Sequence, residues 1–169
     1  MPSAADRRSF FGVAAGLILV LDLVTKYWAE HALVLYAPVR ILGDVVRWRL
    51  VYNPGAAFGL HLGPWSRWIF LVIAVVAVVV LYRMSRSSAP GEGLRHLTLG
   101  AIAGGALGNL VDRIRGPQGV VDFIDVGIGA TRWPTFNVAD IGVSCGAVAL
   151  AISLWREDSA QAAAPPPTS

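Results

Sequence analysis

Four stretches of this chain approach the ~20 residues that a helix needs to cross a bilayer: Phe10 to Ala29, Trp65 to Tyr82, Leu94 to Arg113, and Asn137 to Trp155. In hydrocarbon the backbone has no water to bond, so such stretches are restricted to helices that satisfy their own N–H and C=O groups. Composition agrees. Of 169 residues, 55% are hydrophobic and 15% charged, and the mean hydropathy of +0.58 is above what a soluble domain of this size shows. The chain reads as an α-helical integral membrane protein with four transmembrane helices, forming one unit over residues 1–156. The remainder, 157–169, is an Ala/Pro/Ser/Thr-rich tail that reads as disordered linker. Only the second stretch is close to a clean apolar run, and the polar residues in the other three carry the information.

Two aspartates fall where a span meets water, one in Val120-Val121-Asp122-Phe123 and one in Phe136-Asn137-Val138-Ala139-Asp140. A carboxylate at the rim of a hydrocarbon layer is costly unless it is paired, hydrogen-bonded or protonated, so two of them there imply use. Two such groups close together can share one proton. Taken alone, Asp122 also fits an ordinary loop residue and Asp140 a helix-start residue.

The first stretch begins with Arg7-Arg8 and superficially resembles a cleavable signal peptide. Against this, Asp22 and Lys26 sit at i,i+4 on one helical face and Tyr27-Trp28 suits an interfacial belt, so the helix reads as retained. An ion pair facing lipid is a net cost. The pair is therefore expected to point into the protein.

Between the first two spans, Val45 to Tyr52 is rich in β-branched and aromatic residues and ends at the turn signal Asn53-Pro54-Gly55. This predicts a small sheet or half-barrel on the membrane surface, its Trp and Arg residues meeting the headgroup layer. An ordinary hairpin with no lipid role remains an alternative. In the third span Gly100, Gly104 and Gly108 form a small-residue stripe for close helix packing. That helix ends in Asn109, Asp112 and Arg113, expected to form a polar network among themselves. Pro134 disfavours helix before the fourth span, and Thr135 or Asn137 can cap it. An Asn137 cap places Asp140 at the third helical position.

The lone Cys145 excludes a disulfide framework and reads as packing, and His31, His61 and His96 are too scattered for a zinc site. Two other function classes are compatible with polar residues in a helical bundle: an ion- or proton-coupled transporter, and a non-enzymatic lipid-binding or assembly subunit. Four short spans without an inverted repeat argue against the first, and the aspartate pair is unexplained by the second.

Together, Asp22-x-x-x-Lys26, Asn53-x-Gly55-Ala56-Ala57-Phe58-Gly59, Gly108-Asn109-x-x-Asp112-Arg113, Val121-Asp122-Phe123 and Phe136-Asn137-x-Ala139-Asp140 resemble the motifs of the lipoprotein signal peptidases, also called signal peptidase II. Five separated motifs in the same order, each beside the expected span and together covering Phe10 to about Trp155, are far more specific than any one alone. The resemblance implies an intramembrane aspartyl endopeptidase of the bacterial cytoplasmic (inner) membrane, with four helices and an extracytoplasmic β-cradle between helices 1 and 2. Such an enzyme removes the signal peptide from diacylglyceryl-modified prolipoproteins, cutting just before the lipidated cysteine. It also implies Asp122 and Asp140 as the catalytic pair, with Asp22, Lys26, Asn53, Gly55, Asn109, Asp112, Arg113 and Asn137 lining or bracing the site.

No metal or organic cofactor is implied. The expected partners are prolipoproteins and membrane lipid, without nucleic acid, and the expected state is a monomer. An even number of spans places both termini on one side. The balanced arginines do not choose that side, so the cytoplasmic placement of the termini, with Ala32 to Pro64 and Gly116 to Thr135 outside, follows from the resemblance.

Overall fold

The computed structural model describes residues 4–55, 62–89 and 92–162. Ala56-Ala57-Phe58-Gly59 of the second motif, His61, and 163–169 of the tail lie outside the described residues. The chain forms helix α1 (Ala4–Ala32), strands β1 (Val39–Leu42) and β2 (Val46–Asn53), and helices α2 (Ser66–Ser87) and α3 (Gly93–Arg115). These are followed by strands β3 (Val120–Ile128) and β4 (Thr131–Arg132) and helix α4 (Val138–Ala162). α4 continues beyond Trp155 into the segment expected as linker, because Glu157, Ala160, Gln161 and Ala162 are good helix formers.

Among the described residues, three helices are long and apolar enough to cross a membrane, over Ser9–Ala32, Gly63–Ser87 and Val138–Arg156. The third stretch expected from the sequence is helical but is not among them. α3 carries Arg95, His96, Asn109, Asp112 and Arg113, and it tolerates them by sitting at the centre of the bundle, against each of the other helices. His96, Asp112 and Arg113 are buried there, and His96 bonds the Ser85 hydroxyl of α2 at 2.8 Å.

The glycine stripe explains how α3 gets so close. A β-carbon at Gly100 would strike the backbone of Phe11, one at Gly104 that of Ala15, and one at Gly108 the Asp22 carboxylate. On its other side, a β-carbon at Gly105 would strike the Ala139 carbonyl of α4. Small residues along a helix let backbones approach closely, and here they bring α1 and α4 against one helix at the level of the polar residues.

The four strands form one antiparallel sheet in the order β1-β2-β3-β4. The sheet expected between helices 1 and 2 therefore has only two of its strands there. The other two come from the α3–α4 connection, so Asp122 lies on a strand and not in a loop. Val120 to Ile128 is a β-branched run whose partner lies far back in the chain: Val51 pairs with Asp122, Tyr52 with Val121 and Asn53 with Val120. The sheet packs on the end of α1 through Ala29, Leu50, Val121 and Phe123. Trp48, expected to point at headgroups, instead meets Trp28 and Phe123, with ring centroids 5.6 and 5.8 Å away. Arg47 is tied to Asp44, while Val39, Ile41 and Leu42 on the β1 edge are exposed.

Candidate active site

The site forms where the sheet meets the helix ends, and its foundation is the Asp22–Lys26 pair. Both side chains are fully buried, and Lys26 Nζ lies 2.7 Å from Asp22 and 2.8 Å from Asp112. Lys26 also donates to Asn109 Oδ1 at 2.9 Å. A buried ammonium with three oxygen partners uses its full donor set. The pair thus faces inward, as the cost of facing lipid requires.

Each partner then organises another element. Asp22 accepts the Ala139 N–H at 2.9 Å, holding the first turn of α4 against α1. Asp112 accepts the Val121 N–H at 3.2 Å, which fixes the start of β3. The expected network among Asn109, Asp112 and Arg113 does not close on itself. Arg113 donates to the backbone carbonyls of Asn109 at 3.0 Å and Gly55 at 2.9 Å, while the Asn109 and Asp112 side chains reach other elements. Helix spacing places the three residues within one turn, yet their side chains point outward from the axis toward different neighbours.

Asn137 caps α4. Its Oδ1 accepts the Asp140 N–H at 2.9 Å, and its own N–H donates to Asp140 Oδ2 at 3.2 Å, a reciprocal capping box. Asp140 therefore stands at the third helical position, where the dipole favours a carboxylate. The Asn137 amide nitrogen also donates to Asp122 Oδ1 at 2.7 Å and lies 3.0 Å from Asn109 Oδ1 and 3.2 Å from the Val121 carbonyl. Asn53 donates to Asp122 Oδ2 at 3.1 Å and receives the Gly55 N–H at 3.0 Å. Asn109 completes the set by donating to Asp140 Oδ1 at 2.9 Å.

All ten site residues expected from the sequence thus belong to one contiguous network. Asp122 and Asp140 share the wall of a single cavity of about 420 Å³, together with Asn53, Asn109 and Arg113. Asp122 is 2% exposed. Burial, followed by the neighbouring charge of Asp140, pushes its carboxyl up to about 7, while the Asn53 and Asn137 amides pull the other way. One carboxyl of the pair is thereby poised to hold a proton near neutrality.

Other parts of the wall were not expected. Trp133 to Phe136 close one side, and Ile141, Val143, Ser144 and Cys145 of α4 form another. Cys145 is exposed and lines the cavity, contrary to its reading as packing. Helical spacing from Asp140 carries a signal for this, since residues 140, 144 and 141, 145 share adjoining rows of one helix.

The fold and site define a helical membrane protein with two carboxyl groups in one cavity at the junction of bundle and sheet. Its sequence matches the family model described as Signal peptidase (SPase) II over residues 14–156. The chain belongs to the signal peptidase II family. It is 44% identical over 160 residues to the lipoprotein signal peptidase of Rhodococcus jostii (strain RHA1), covering 89% of this chain and 75% of that one. It is 43% identical over 141 residues to the lipoprotein signal peptidase of Hydrogenovibrio crunogenus (strain DSM 25203 / XCL-2), covering 82% and 81%.

Among solved structures, a bacterial membrane enzyme determined by the in meso method at 2.3 Å resolution has the same fold, with a TM-score of 0.80 and 24% identity over 94% of each chain. A second, at 1.9 Å resolution, gives a TM-score of 0.74 and 26% identity over 85% of this chain and 91% of that one. The family makes the chain a peptidase. It supports that reading over the transporter and the lipid-binding subunit.

Proposed function

We propose that this protein is an intramembrane aspartyl endopeptidase that removes the signal peptide from diacylglyceryl-modified prolipoproteins, cutting just before the lipidated cysteine. The observation that carries the proposal is the shared cavity: Asp122 and Asp140 line it together, each held by an asparagine amide.

Amide hydrolysis by two carboxyls needs one ionised group to take a proton from water and one protonated group to give a proton to the scissile carbonyl. Asp140, at the start of α4, is placed to take the proton from water. Asp122, raised to about 7, is suited to be the protonated one. Water between them loses a proton to Asp140 as its oxygen attacks the carbonyl carbon, while Asp122 protonates the carbonyl oxygen. Collapse of the tetrahedral intermediate breaks the C–N bond, with the leaving nitrogen taking the proton held by Asp140 and Asp122 recovering its own.

Asn53, Asn109 and Asn137 set the orientation of the two carboxyls, and Arg113 supplies a fixed positive charge in the cavity wall. Hydrogen bonds fixed in advance are worth more where water is excluded. Asp22, Lys26, Asp112 and Gly55 act through these residues by anchoring α4, β3 and the turn after β2.

On this reading α3 is the fourth span, shielded from lipid by the helices around it, and residues 1–156 form a single peptidase domain. The enzyme acts as a monomer in the bacterial inner membrane, with both termini cytoplasmic and the cavity at the periplasmic leaflet. The substrate's acyl chains remain in lipid or against the sheet. They anchor the precursor in the membrane, each buried methylene contributing about 0.8 kcal/mol to that anchoring, and so hold its peptide beside the cavity. Incubating the purified protein with a diacylglyceryl-modified precursor peptide and following a gel shift tests the proposal. Cleavage of the lipidated form well above the unmodified form supports it, and an intact precursor defeats it.

A further inference from the structure

A second cavity, of about 180 Å³, lies behind the sheet, bounded by Glu30, Tyr52, Asp112, Arg115, Gln118 and Val121. Successive side chains of a strand point to opposite faces. Asn53, Val120 and Asp122 accordingly line the first cavity, while Tyr52 and Val121 line this one. It stands at the level of the lipid headgroups, because Glu30 follows the exposed aromatic pair Tyr27-Trp28 in the last turn of α1.

Its acceptors are under-used. Asp112 gives Oδ2 to Lys26 and to the Val121 N–H, but its Oδ1 is buried and has no hydrogen-bond partner among the described residues. Leaving a buried carboxylate oxygen unpaired is costly, so the atom marks a place for a donor. Glu30 accepts the Tyr52 hydroxyl at a long 3.3 Å, and its other oxygen stands 3.9 Å from Arg115, whose side chain is 57% exposed. Burial, followed by the Glu30 charge, raises the Tyr52 hydroxyl above its ordinary value. Tyr52 therefore keeps its proton, and its oxygen can accept as well as donate. Charge points the same way: the carboxylates of Asp22, Asp112 and Glu30 face only the two cations Lys26 and Arg115, one positive charge short of balance.

Three acceptors around a site short of one charge suit a primary ammonium, which carries three N–H donors. Water fits the volume but brings no charge. A metal ion would call for about six oxygens and would be repelled by Arg115. That guanidinium, on the exposed side, suits instead a phosphate joined to the amine.

We infer that this pocket binds an aminoethyl phosphate group, as carried by phosphatidylethanolamine, with the ammonium between Glu30, Tyr52 and Asp112 Oδ1 and the phosphate on Arg115. The site is separate from the peptidase reading and does not rest on it. Because Asp112 also fixes the start of β3, the occupant braces the sheet from behind and stabilises the folded protein by binding it.

The test uses the full chain, delipidated in detergent. Its melting temperature is measured with phosphatidylethanolamine, phosphatidylcholine or phosphatidylglycerol of the same acyl chains, and with free ethanolamine phosphate, and lipid affinities are read by native mass spectrometry. Phosphatidylethanolamine should raise the melting temperature most and bind about tenfold more tightly than phosphatidylcholine, whose trimethylated nitrogen has no N–H to donate. Phosphatidylglycerol lacks the amine and should match phosphatidylcholine. Stabilisation by free ethanolamine phosphate as well supports recognition of the headgroup alone, whereas stabilisation by the lipid alone supports a site filled from the bilayer.

Glu30→Gln keeps an acceptor for Tyr52, so it should fold as the parent does yet lose the preference among the three lipids. Arg115→Gln, at an exposed position, should weaken phosphatidylethanolamine binding severalfold through the phosphate. Equal affinity for the three lipids, a preference that survives Glu30→Gln, or unchanged binding in Arg115→Gln overturns the inference. Equal stabilisation by sodium chloride alone does so too.

Discussion

Asn137 donates to Asp122 at 2.7 Å with the same side chain whose oxygen caps the helix carrying Asp140. The start of α4 and the orientation of the β3 carboxyl are thus set by one amide. Asn137→Ala removes both at once. Loss of the cap costs about 1 kcal/mol of stability, and loss of an orienting donor beside reacting groups costs about 10²–10³ in rate. Thermal unfolding in detergent and precursor cleavage, measured on one preparation, check the two effects separately. Asn137→Asp keeps the cap but places a third carboxyl against Asp122, so it restores stability more than rate.

Lys26 is a buried cation between Asp22 and Asp112. Lys26→Met leaves two buried carboxyls without their shared partner, and breaking such a group by removing one member costs about 3–5 kcal/mol. The expected result is a large fall in melting temperature or loss of folded protein. Adding Asp22→Asn and Asp112→Asn to Lys26→Met should recover part of that stability. A triple variant no more stable than the single one would refute the charge-balance account.

The pH dependence follows from Asp122. Its folded-state value of about 7 lies above the usual carboxylate range, so the proton is retained below neutrality and lost above it. If Asp122 is the proton donor, kcat/KM falls by about tenfold for each pH unit above 7. Stability has the same sign. Between the ordinary carboxylate range and about 7, the unfolded chain releases this proton more readily than the folded one, so folding weakens as pH rises. Asp122→Asn removes that loss, and its melting temperature relative to the parent should increase from pH 5 to pH 8. A constant difference across that range contradicts the assignment.

Gly104 lies against the Ala15 backbone. Gly104→Leu has no space without separating α1 from α3, and overpacking of this kind costs about 1–3 kcal/mol or more. Because the same contact brings Asp22 to α4, activity should fall along with stability. Gly116→Ala, at a position where a β-carbon meets nothing, is the matched control and should change neither.

What was legible in the sequence followed from local spacing. Asp22 and Lys26 at i,i+4 sufficed to place the pair inward, and Pro134, Asn137 and Asp140 sufficed to locate the start of α4. The second half of the sheet was hidden because β3 pairs with β2 some seventy positions earlier, and alternation within Val120 to Ile128 gives no sign of its partner. The site network was visible as motifs but not as bonds. Asn109 and Asp112 share a turn with Arg113, yet each reaches a different element. α3 was anticipated as a span because its small apolar residues outnumber its polar ones. Its role as the central helix depends on which neighbours surround it, and that information is tertiary.

The central claim is that Asp122 and Asp140 together perform the hydrolysis. Asp122→Asn and Asp140→Asn each preserve side-chain size while abolishing proton exchange, so the folded, purified variants should still bind diacylglyceryl-modified precursor. Their cleavage rates, read by gel shift beside the parent, should be lower by several orders of magnitude. Cleavage by either folded variant at near the parent rate would contradict the aspartyl mechanism.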